Sequence, residues 1–228
     1  DWKLVERFPF IPADVAISST GHVVVAGADY SKFAISDDLV SWQLVDPGLG
    51  RVRMVVQYAD NYYAATQAGV KQSADGITWS TANGVPSFDC VAITSSPLGV
   101  TAVGSTGYNN KIYHSADGLS WADVHTASTP QYLNTICYSA PYLIAAGGSG
   151  YFLKSSDGVD WTNIASDLLG TPSQCVTTNN GLLALSAGFI YRSPLAEPVT
   201  FYPESLAASI SSVAYGNGVS VAVGNNSG

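Results

Sequence analysis

The stretch Ser155-Ser-Asp-Gly-Val-Asp-Trp161 is one of four copies of a short pattern that decides the fold. The other copies are Ser36-Asp-Asp-Leu-Val-Ser-Trp42, Ser73-Ala-Asp-Gly-Ile-Thr-Trp79 and Ser115-Ala-Asp-Gly-Leu-Ser-Trp121. Their tryptophans stand at 42, 79, 121 and 161, so the pattern returns about every forty residues. A period of that length predicts one supersecondary unit repeated along the chain.

Each repeat divides into short apolar runs. Runs such as Val23-Val-Val25 and Phe152-Leu153 are bounded by Gly, Pro, Asn and Ser, and they are rich in β-branched or aromatic residues. Such runs predict strands joined by hairpins, and no longer window shows the 3.6-residue apolar period of a helix. Four strands in about forty residues are typical of a propeller blade, so we predict an all-β protein.

The number of blades follows from the aromatic position that opens the fourth strand. An aromatic residue occupies this position at 2, 42, 79, 121, 161 and 201. Residues 210–224 have the pattern of a first and a second strand. We therefore predict a six-bladed β-propeller whose last blade is shared between the N- and C-termini. The single domain is 1–228, with blades at about 7–46, 50–83, 87–125, 131–165, 172–204, and 208–228 plus 1–6. The shared blade is about one strand short, which, with the absence of an initiator Met, suggests a piece of a longer protein.

The repeated residues suit a tight turn between the third and fourth strands. A short carboxylate accepts unpaired N–H groups of its own turn, Gly supplies a positive φ, and Ser bonds back across the turn. The Trp is expected to pack against the next blade. Leu39 replaces the Gly in the first copy, which predicts a strained or differently wound turn. The structural set is Ser36, Asp38, Trp42, Ser73, Asp75, Gly76, Trp79, Ser115, Asp117, Gly118, Trp121, Ser155, Asp157, Gly158 and Trp161.

A metal site is an alternative interpretation of these aspartates. Metal ligands must converge on one point, whereas one Asp per blade spreads the carboxylates around a rim. We therefore expect neither a metal nor another cofactor.

The Ser-x-Asp-Gly-x-x-Trp pattern resembles the Asp-box, or BNR repeat, of sialidase-like β-propellers. It is also similar to repeats of the photosystem II assembly-factor propellers. The run Val213-Ala-Tyr-Gly-Asn-Gly218, with Val221-Ala-Val-Gly224, is similar to repeats of phage tail-fibre and bacterial surface proteins. The usual Asp-box has one more residue between Asp and Gly, which argues against a close relation to the sialidase branch.

Composition limits the partners. Charged residues make up 11% of the chain and the net charge is −8, so nucleic acid and anionic membranes are unfavourable partners. No apolar run is long enough to span a bilayer, and there is no signal peptide. A surface of uncharged polar groups favours an extracellular or virion-associated protein. Cys90, Cys137 and Cys175 are an odd number, and we expect buried free thiols.

Catalysis has little support in the sequence. Resemblance to sialidases implies an arginine triad, a Tyr–Glu pair and an acidic Asp, but only Arg51 and Arg53 share one strand and, by two-residue alternation, one face. No pair of carboxylates at glycosidase spacing can be nominated among three glutamates, Glu6, Glu197 and Glu204. His22 falls in the first predicted blade, whereas His114 and His125 fall in the third. We therefore predict no catalytic residues.

A ligand is expected at the loops between second and third strands and between blades. Tyrosine rings that stack on sugars, with amides that bond hydroxyls, favour carbohydrate. The candidate residues are Tyr30, Tyr108, Asn109, Asn110, Tyr151 and Arg51. The favoured hypothesis is a glycan- or receptor-binding module of an extracellular or phage-tail protein. Other parts of a virion or surface assembly are further candidate partners. A protein-binding assembly scaffold and a divergent glycosidase are the alternatives.

Overall fold

The protein is all-β, as predicted. The computed structural model describes residues 7–28, 32–128, 132–164, 170–179, 181–186, 189–194, 202–204, 209–216 and 218–225. Within them lie twenty-two strands and one 3-10 turn at Gly148–Gly150. The described residues contain no helix with the length and hydrophobicity needed to traverse a bilayer.

The strands form five four-stranded antiparallel sheets and one two-stranded sheet. Sheet 1 contains β1 (Pro12–Ile17), β2 (Val23–Gly27), β3 (Phe33–Ser36) and β4 (Gln43–Val45). Sheet 2 contains β5 (Val52–Tyr58), β6 (Asn61–Thr66), β7 (Gly69–Ser73) and β8 (Ser80–Thr81). Sheet 3 contains β9 (Asp89–Ser96), β10 (Gly99–Thr106), β11 (Asn109–Ser115) and β12 (Ala122–Ser128).

The remaining sheets follow in the same way. Sheet 4 contains β13 (Leu133–Ser139), β14 (Tyr142–Gly147), β15 (Phe152–Ser155) and β16 (Thr162–Ile164). Sheet 5 contains β17 (Pro172–Thr178), β18 (Gly181–Ser186), β19 (Phe189–Ser193) and β20 (Tyr202–Glu204). Sheet 6 contains β21 (Ser209–Gly216) and β22 (Val219–Asn225). β12 ends three residues past the predicted end of the third blade at 125. The blade bounds and the arrangement of the sheets as six blades of one ring stay predictions.

Two compact units divide the chain. The first comprises Asp1–Ala102 and Tyr113–Asp123, and the second comprises Val103–Ile112 and Val124–Gly228. Sheets 1 and 2 belong to the first unit, and sheets 4, 5 and 6 belong to the second. Sheet 3 contributes residues to both.

Strand order gives each four-stranded sheet two distinct ends. Neighbouring strands are consecutive in the chain, so the connections from first to second and from third to fourth strand lie at one end, here called the turn end. The connection from second to third strand lies at the other, the loop end. The four Asp turns are therefore at turn ends, and Tyr108 and Tyr151 are at loop ends.

First strands carry a repeated irregularity. The register shifts between Pro12 and Asp14, and it shifts at the same place in β5, β13, β17 and β21. Such a bulge places one extra residue on the strand and leaves it outside the ladder. In sheets 1, 2, 4 and 5 the second strands are almost entirely buried, and all five residues of Val23–Gly27 are enclosed.

The core consists of clusters that join adjacent sheets within each unit. In the first unit, Phe33 of sheet 1 and Tyr62 of sheet 2 share one cluster. In the second unit, Phe152 of sheet 4 and Leu182 of sheet 5 share another, and Leu183 and Val213 join sheets 5 and 6. At roughly 25 cal/mol per Å² of apolar surface, packing between sheets is the main stabilising contribution.

The three cysteines are free and buried, as expected. Cys137 and Cys175 lie in the same core cluster of the second unit. A hydrogen bond with the Cys137 thiol, together with burial, raises the pKa of Cys175, so its thiol stays protonated.

Candidate functional site

The Asp turns are built as local scaffolds. In the turn of sheet 4, Ser155 Oγ donates to Asp157 Oδ1 (3.0 Å), which also accepts the N–H groups of Val159 and Asp160 at 2.8 and 2.9 Å. The turns at Asp38, Asp75 and Asp117 repeat this pattern. Each carboxylate is thus engaged by its own turn. No group of three or more His, Cys, Asp or Glu side chains that could hold a metal ion occurs in the described part of the chain.

These hydrogen bonds stabilise the ionised carboxylates. The N–H groups of Ser41 and Val40 lower the pKa of Asp38 to about 2. Backbone N–H groups likewise lower the pKa of Asp117 and Asp157. At Asp75 slight burial acts in the opposite direction, yet the N–H groups of Thr78 and Ile77 prevail and the pKa is lowered.

The first turn keeps this geometry with Leu39 in the glycine position. Leu39 has φ +61°, close to the +71° of Gly76, and its N–H donates to Ser36 Oγ at 2.9 Å. The turn is therefore wound like the others, and the strain falls on the backbone of Leu39.

The rings of Trp79 and Trp121 pack against the preceding sheet, not the next one as expected. The ring of Trp79 in the turn of sheet 2 meets the ring of Phe33 in sheet 1, with centroids 5.3 Å apart at 81°. Trp121 in the turn of sheet 3 packs on Tyr63 of sheet 2, 5.8 Å away. The Tyr63 hydroxyl also donates to the Gly118 carbonyl at 3.0 Å, which fixes this turn against the same neighbour.

The two arginines do not form the expected pair on one face. The bulge between Val52 and Met54 interrupts the two-residue alternation, leaving Arg51 exposed and Arg53 partly buried. Arg53 Nη1 donates to Asp89 Oδ1 at 2.5 Å and to the Cys90 carbonyl at 2.6 Å. Arg53 is therefore a bridge from sheet 2 to the start of β9.

The predicted residues Tyr108, Asn109 and Tyr151 lie at the loop ends of sheets 3 and 4, which a hydrogen bond from the Leu133 N–H to Asn110 Oδ1 joins. We call Tyr108, Asn109, His125, Tyr132 and Tyr151 the tyrosine loop site. Tyr108 occupies the tight turn between β10 and β11, follows Gly107 (φ +58°), and is 83% exposed. The Tyr151 hydroxyl lies 3.4 Å from His125 Nε2, and burial raises the pKa of Tyr151.

Hydrogen bonds tie these loops to one another. Asn110, predicted as a ligand residue, is fully buried, and its Oδ1 accepts the N–H of Leu133 at 3.1 Å. The Tyr132 carbonyl accepts the N–H of Gly148 at 3.1 Å. At Gly147 a Cβ would lie 2.1 Å from that same carbonyl oxygen, so only glycine allows this close approach. The site thus stands on fixed loops, with Asn110 behind it.

Tyr30 lies outside the described residues, and Arg51 belongs to the first unit. Neither can be placed in the tyrosine loop site. Tyr132 and His125 were not among the predicted site residues. Tyr132 lies in the connection between β12 and β13, and this was the available signal, because inter-blade loops share the loop end with Tyr108 and Tyr151; His125 lies within β12.

Two clefts open at the turn ends, which the sequence did not predict as binding surfaces. The cleft in the first unit has a volume of ≈ 420 Å³ and lies between the hairpins of sheets 1 and 2. His22 Nδ1 donates to Asp37 Oδ1 there at 2.6 Å, and the Tyr62 hydroxyl donates to the His22 carbonyl at 2.9 Å. His22 Nε2 is enclosed by protein, so this histidine cannot reach a substrate as a base.

The cleft in the second unit has a volume of ≈ 670 Å³. It lies at the corresponding place between the hairpins of sheets 4 and 5 and is lined by Tyr142, Thr177, Thr178 and Tyr215. Lys154 Nζ lies 4.9 Å from the centroid of the Tyr142 ring, outside the lining. No charged side chain is part of the lining among the described residues, so the cleft can offer only neutral hydrogen-bonding groups and aromatic rings.

No protein-family model matches the chain, and no curated protein matches it. Solved structures do. A streptogramin B lyase aligns with a TM-score of 0.72 and 12% identity, over 91% of this chain and 74% of the lyase. Virginiamycin B lyase from Staphylococcus aureus aligns with a TM-score of 0.71 and 14% identity, over 94% of this chain and 84% of the lyase.

A non-enzymatic neighbour is also similar. YCF48 from Cyanidioschyzon merolae has a TM-score of 0.68 and 18% identity, over 94% of this chain and 79% of YCF48. A YCF48 structure bound to a D1 peptide aligns at 0.64. These neighbours are propeller-like proteins, and at such low identity the likeness concerns the fold alone. They include both enzymes and non-enzymatic propellers, so the likeness does not assign an activity.

Proposed function

We propose that the chain is a six-bladed propeller of the Asp-box type that works as a non-catalytic recognition module and binds glycan through the tyrosine loop site. We further propose an extracellular or virion-associated setting, such as a phage tail, in which the glycan belongs to a cell-surface receptor. The observation that carries the proposal is the exposure of Tyr108, a large aromatic ring held out on a tight turn.

The chemistry of the site suits a neutral sugar. An exposed ring stacks on the apolar C–H face of a pyranose, and stacking of this kind contributes about 1 kcal/mol beyond the buried area. Asn109 and His125 add amide and imidazole groups, which bond hydroxyls. Because loop positions are fixed by the Asn110 and Tyr132 hydrogen bonds, little ordering entropy opposes binding.

The engagement of several ionisable groups within the protein supports a non-catalytic role. The Asp-turn carboxylates accept backbone N–H groups, Arg53 is bonded to Asp89, and His22 Nε2 is enclosed. None of these groups is available to act as a nucleophile, acid or base on a substrate.

A protein-binding scaffold is the second candidate. The likeness to YCF48, which was solved with a D1 peptide, favours it. Partners would then be other proteins of an assembly, and the exposed Tyr108 would insert into a pocket of such a partner.

Glycan-array binding tests the proposal. Wild-type protein should bind a defined set of neutral glycans, and Tyr108→Ala should weaken binding by about tenfold, as expected for the loss of roughly 1.4 kcal/mol. Tyr202→Ala is the matched control, because Tyr202 is also exposed (55%) but lies on β20 of sheet 5. Equal binding by wild type and Tyr108→Ala would overturn the glycan proposal, and capture of a protein partner without a glycan signal would support the second candidate.

A further inference from the structure

The turn-end cleft of the second unit has the size of a ligand site. Its volume of ≈ 670 Å³ falls within the range of about 300–1,000 Å³ that is typical of small-molecule sites. It is lined by the β13–β14 hairpin of sheet 4, the β17–β18 hairpin of sheet 5, Pro194 after β19, and Tyr215 of sheet 6. All of these residues belong to one compact unit, and the proposed function does not use the cleft.

Hydrogen bonds fix the walls of the cleft. Thr177 Oγ1 donates to the Tyr138 carbonyl, which ties sheet 5 to sheet 4. Thr178 Oγ1 donates to the Gly181 carbonyl at 3.2 Å, across its own hairpin. A buried apolar cluster holds sheet 6 against sheet 5. A ligand therefore meets walls that are already in place, and little ordering entropy opposes its binding.

The charge of the lining distinguishes this cleft from the turn-end cleft of the first unit. Asp37, Asp60 and Asp75 line the first cleft, whereas no described residue of the second lining is charged. A charged ligand in the second cleft would lose hydration without gaining a counter-charge. The second cleft therefore selects a neutral ligand.

The polar side chains of the lining require a ligand that both donates and accepts hydrogen bonds. Because Thr177 and Thr178 give their hydroxyl protons to carbonyl groups of the protein, their oxygens offer a ligand only acceptor lone pairs. The Asn179 amide and the hydroxyls of Tyr142 and Tyr215 can donate as well as accept. An alcohol hydroxyl meets both requirements with one kind of group.

Two partly exposed tyrosine rings supply apolar contact area. Tyr142 and Tyr215 come from sheets 4 and 6, the two sheets that flank sheet 5. The cation–π contact of Lys154 with the Tyr142 ring, at 4.9 Å from the centroid, steadies that ring. Aromatic rings of this kind pack on the apolar C–H faces of sugars.

A peptide is served less well by this lining. An extended peptide gains affinity from main-chain hydrogen bonds along an open strand edge. The described lining consists instead of strand ends and hairpin turns, which present side chains. Neutral hydroxyl partners beside aromatic rings favour a saccharide.

We propose that the turn-end cleft of the second unit is a second binding site, which takes a short neutral saccharide. Sugar hydroxyls donate to Thr177 and Thr178 Oγ1 and accept from the Asn179 amide, and the Tyr215 ring packs on the C–H face of a sugar ring. The inference goes beyond the proposed function, because the cleft lies at the opposite end of the sheets from the tyrosine loop site and does not depend on it.

Titration calorimetry of the full chain with maltotriose, cellotriose, mannotriose and chitotriose tests the proposal, and trigalacturonic acid is the anionic control. At least one of the four neutral trisaccharides should bind, and the acid should not. Amide hydrogen exchange with the bound trisaccharide should slow at residues 139–142 and 177–179. Equal binding of the acid would overturn the proposal.

Substitutions locate the site. Asn179→Ala removes an exposed amide and should weaken binding by about fivefold, and Tyr215→Ala removes a ring and should weaken it by about tenfold or more. Asn163→Ala is the matched control, because Asn163 is also exposed but lies on β16 of the same unit, and it should leave binding unchanged. Circular dichroism checks the fold of each variant. Asn179→Ala keeps the test decisive if Tyr215→Ala does not fold.

Binding of none of the four trisaccharides would overturn the proposal, as would equal binding by wild type and Asn179→Ala. Binding of decaproline without any of the saccharides would overturn it in favour of a peptide ligand. Loss of array binding in Tyr108→Ala without protection of the cleft would overturn this inference and leave the proposed function standing. Trisaccharide binding that Asn179→Ala weakens, with equal array binding by wild type and Tyr108→Ala, would support this inference and overturn the proposed function.

Discussion

The carboxylate of Asp14 accepts a hydrogen bond from the backbone N–H of Val55 at 2.9 Å, so the bulge of sheet 1 is joined to the first strand of sheet 2. The equivalent bond recurs in the second unit, where the Cys175 N–H donates to Thr135 Oγ1 (3.2 Å) and the Val213 N–H donates to Gln174 Oε1 (2.9 Å). Its donor and acceptor are 41, 40 and 39 residues apart in the three cases. The residue after the bulge therefore acts as a repeated link between neighbouring sheets, although its side chain differs in the three cases.

Removing this link at Asp14 should destabilise the protein. Asp14→Ala leaves the Val55 N–H without its acceptor, and we expect a loss of about 1–3 kcal/mol in the free energy of unfolding. Asp14→Asn keeps an acceptor oxygen and should lose less. Urea titrations of the three proteins at about pH 7 measure the difference, and equal stability of wild type and Asp14→Ala would contradict the role of the link.

The pH dependence of the same variants gives a second prediction. Burial raises the pKa of Asp14 above its ordinary value of 3.8, despite the N–H groups of Val55 and Val15. The folded state therefore favours the protonated carboxyl. The resulting contribution to folding stability is fully present below the pKa that Asp14 has in the unfolded chain, and it is lost as the pH rises through the pKa that Asp14 has in the folded protein. As the pH rises above about 4, wild type should lose stability relative to Asp14→Asn. A constant difference between the two proteins across this range would contradict the prediction.

Leu39→Gly should stabilise the first turn. Leu39 holds φ at +61°, a region that costs a non-glycine residue roughly 1 kcal/mol and costs glycine little. The gain is partly offset by the greater freedom of glycine in the unfolded chain. The reverse change at Gly76 is the control, since a Cβ there would lie 2.6 Å from Val24 Cγ2. In thermal unfolding, the midpoint temperature of Leu39→Gly should lie above that of wild type, and the midpoint of Gly76→Ala should lie below it. A midpoint for Leu39→Gly below that of wild type would show that the leucine is not strained.

Acid should weaken the Asp turns. Backbone N–H groups lower the pKa of Asp157, so its stabilising contribution is present above the unfolded pKa and is lost as pH falls through the folded pKa. The midpoint of unfolding should therefore fall less steeply in Asp157→Asn than in wild type between about pH 5 and pH 2. Asp160→Asn, in the same turn but without the acceptor role, should behave like wild type.

The two arginines should differ in their structural importance. Arg53→Met removes the hydrogen bonds to Asp89 and to the Cys90 carbonyl, and we expect it to cost about 1–3 kcal/mol. Arg51→Met, at an exposed position, should change stability by less than about 0.5 kcal/mol. Similar stability of the two variants would contradict the bridging role of Arg53. Glycoside turnover by wild type that is lost in Arg51→Met would contradict the non-catalytic interpretation.

Sequence spacing was enough to predict the sheets, because the Ser-x-Asp-Gly-x-x-Trp turn is a local structure whose hydrogen bonds are satisfied within a few residues. Tyr63 and Trp121 show what spacing does not reveal, since the direction in which a Trp ring packs depends on the placement of whole sheets. The spacing of the repeats does not reveal the bulge at Val52–Met54 either. Because of this bulge, Arg51 and Arg53 do not share one face as expected.

The candidate site was less predictable than the scaffold. Tyr108 lies in the predicted turn and is exposed, but Asn110, two residues later in β11, is buried and accepts the N–H of Leu133, a contact with the next sheet that local spacing does not reveal. The clefts near His22 and Tyr142 arise between hairpins that are about forty residues apart in the chain. No local pattern signals them.

Amide hydrogen exchange with and without the glycan that binds best on the array tests the central claim most directly. We predict slower exchange at residues 106–110, 132–134 and 147–151, the segments that carry or support the tyrosine loop site. Slower exchange confined to residues 139–142 and 177–181, which line the turn-end cleft of the second unit, would contradict the account and move the recognition surface to the other end of the sheets.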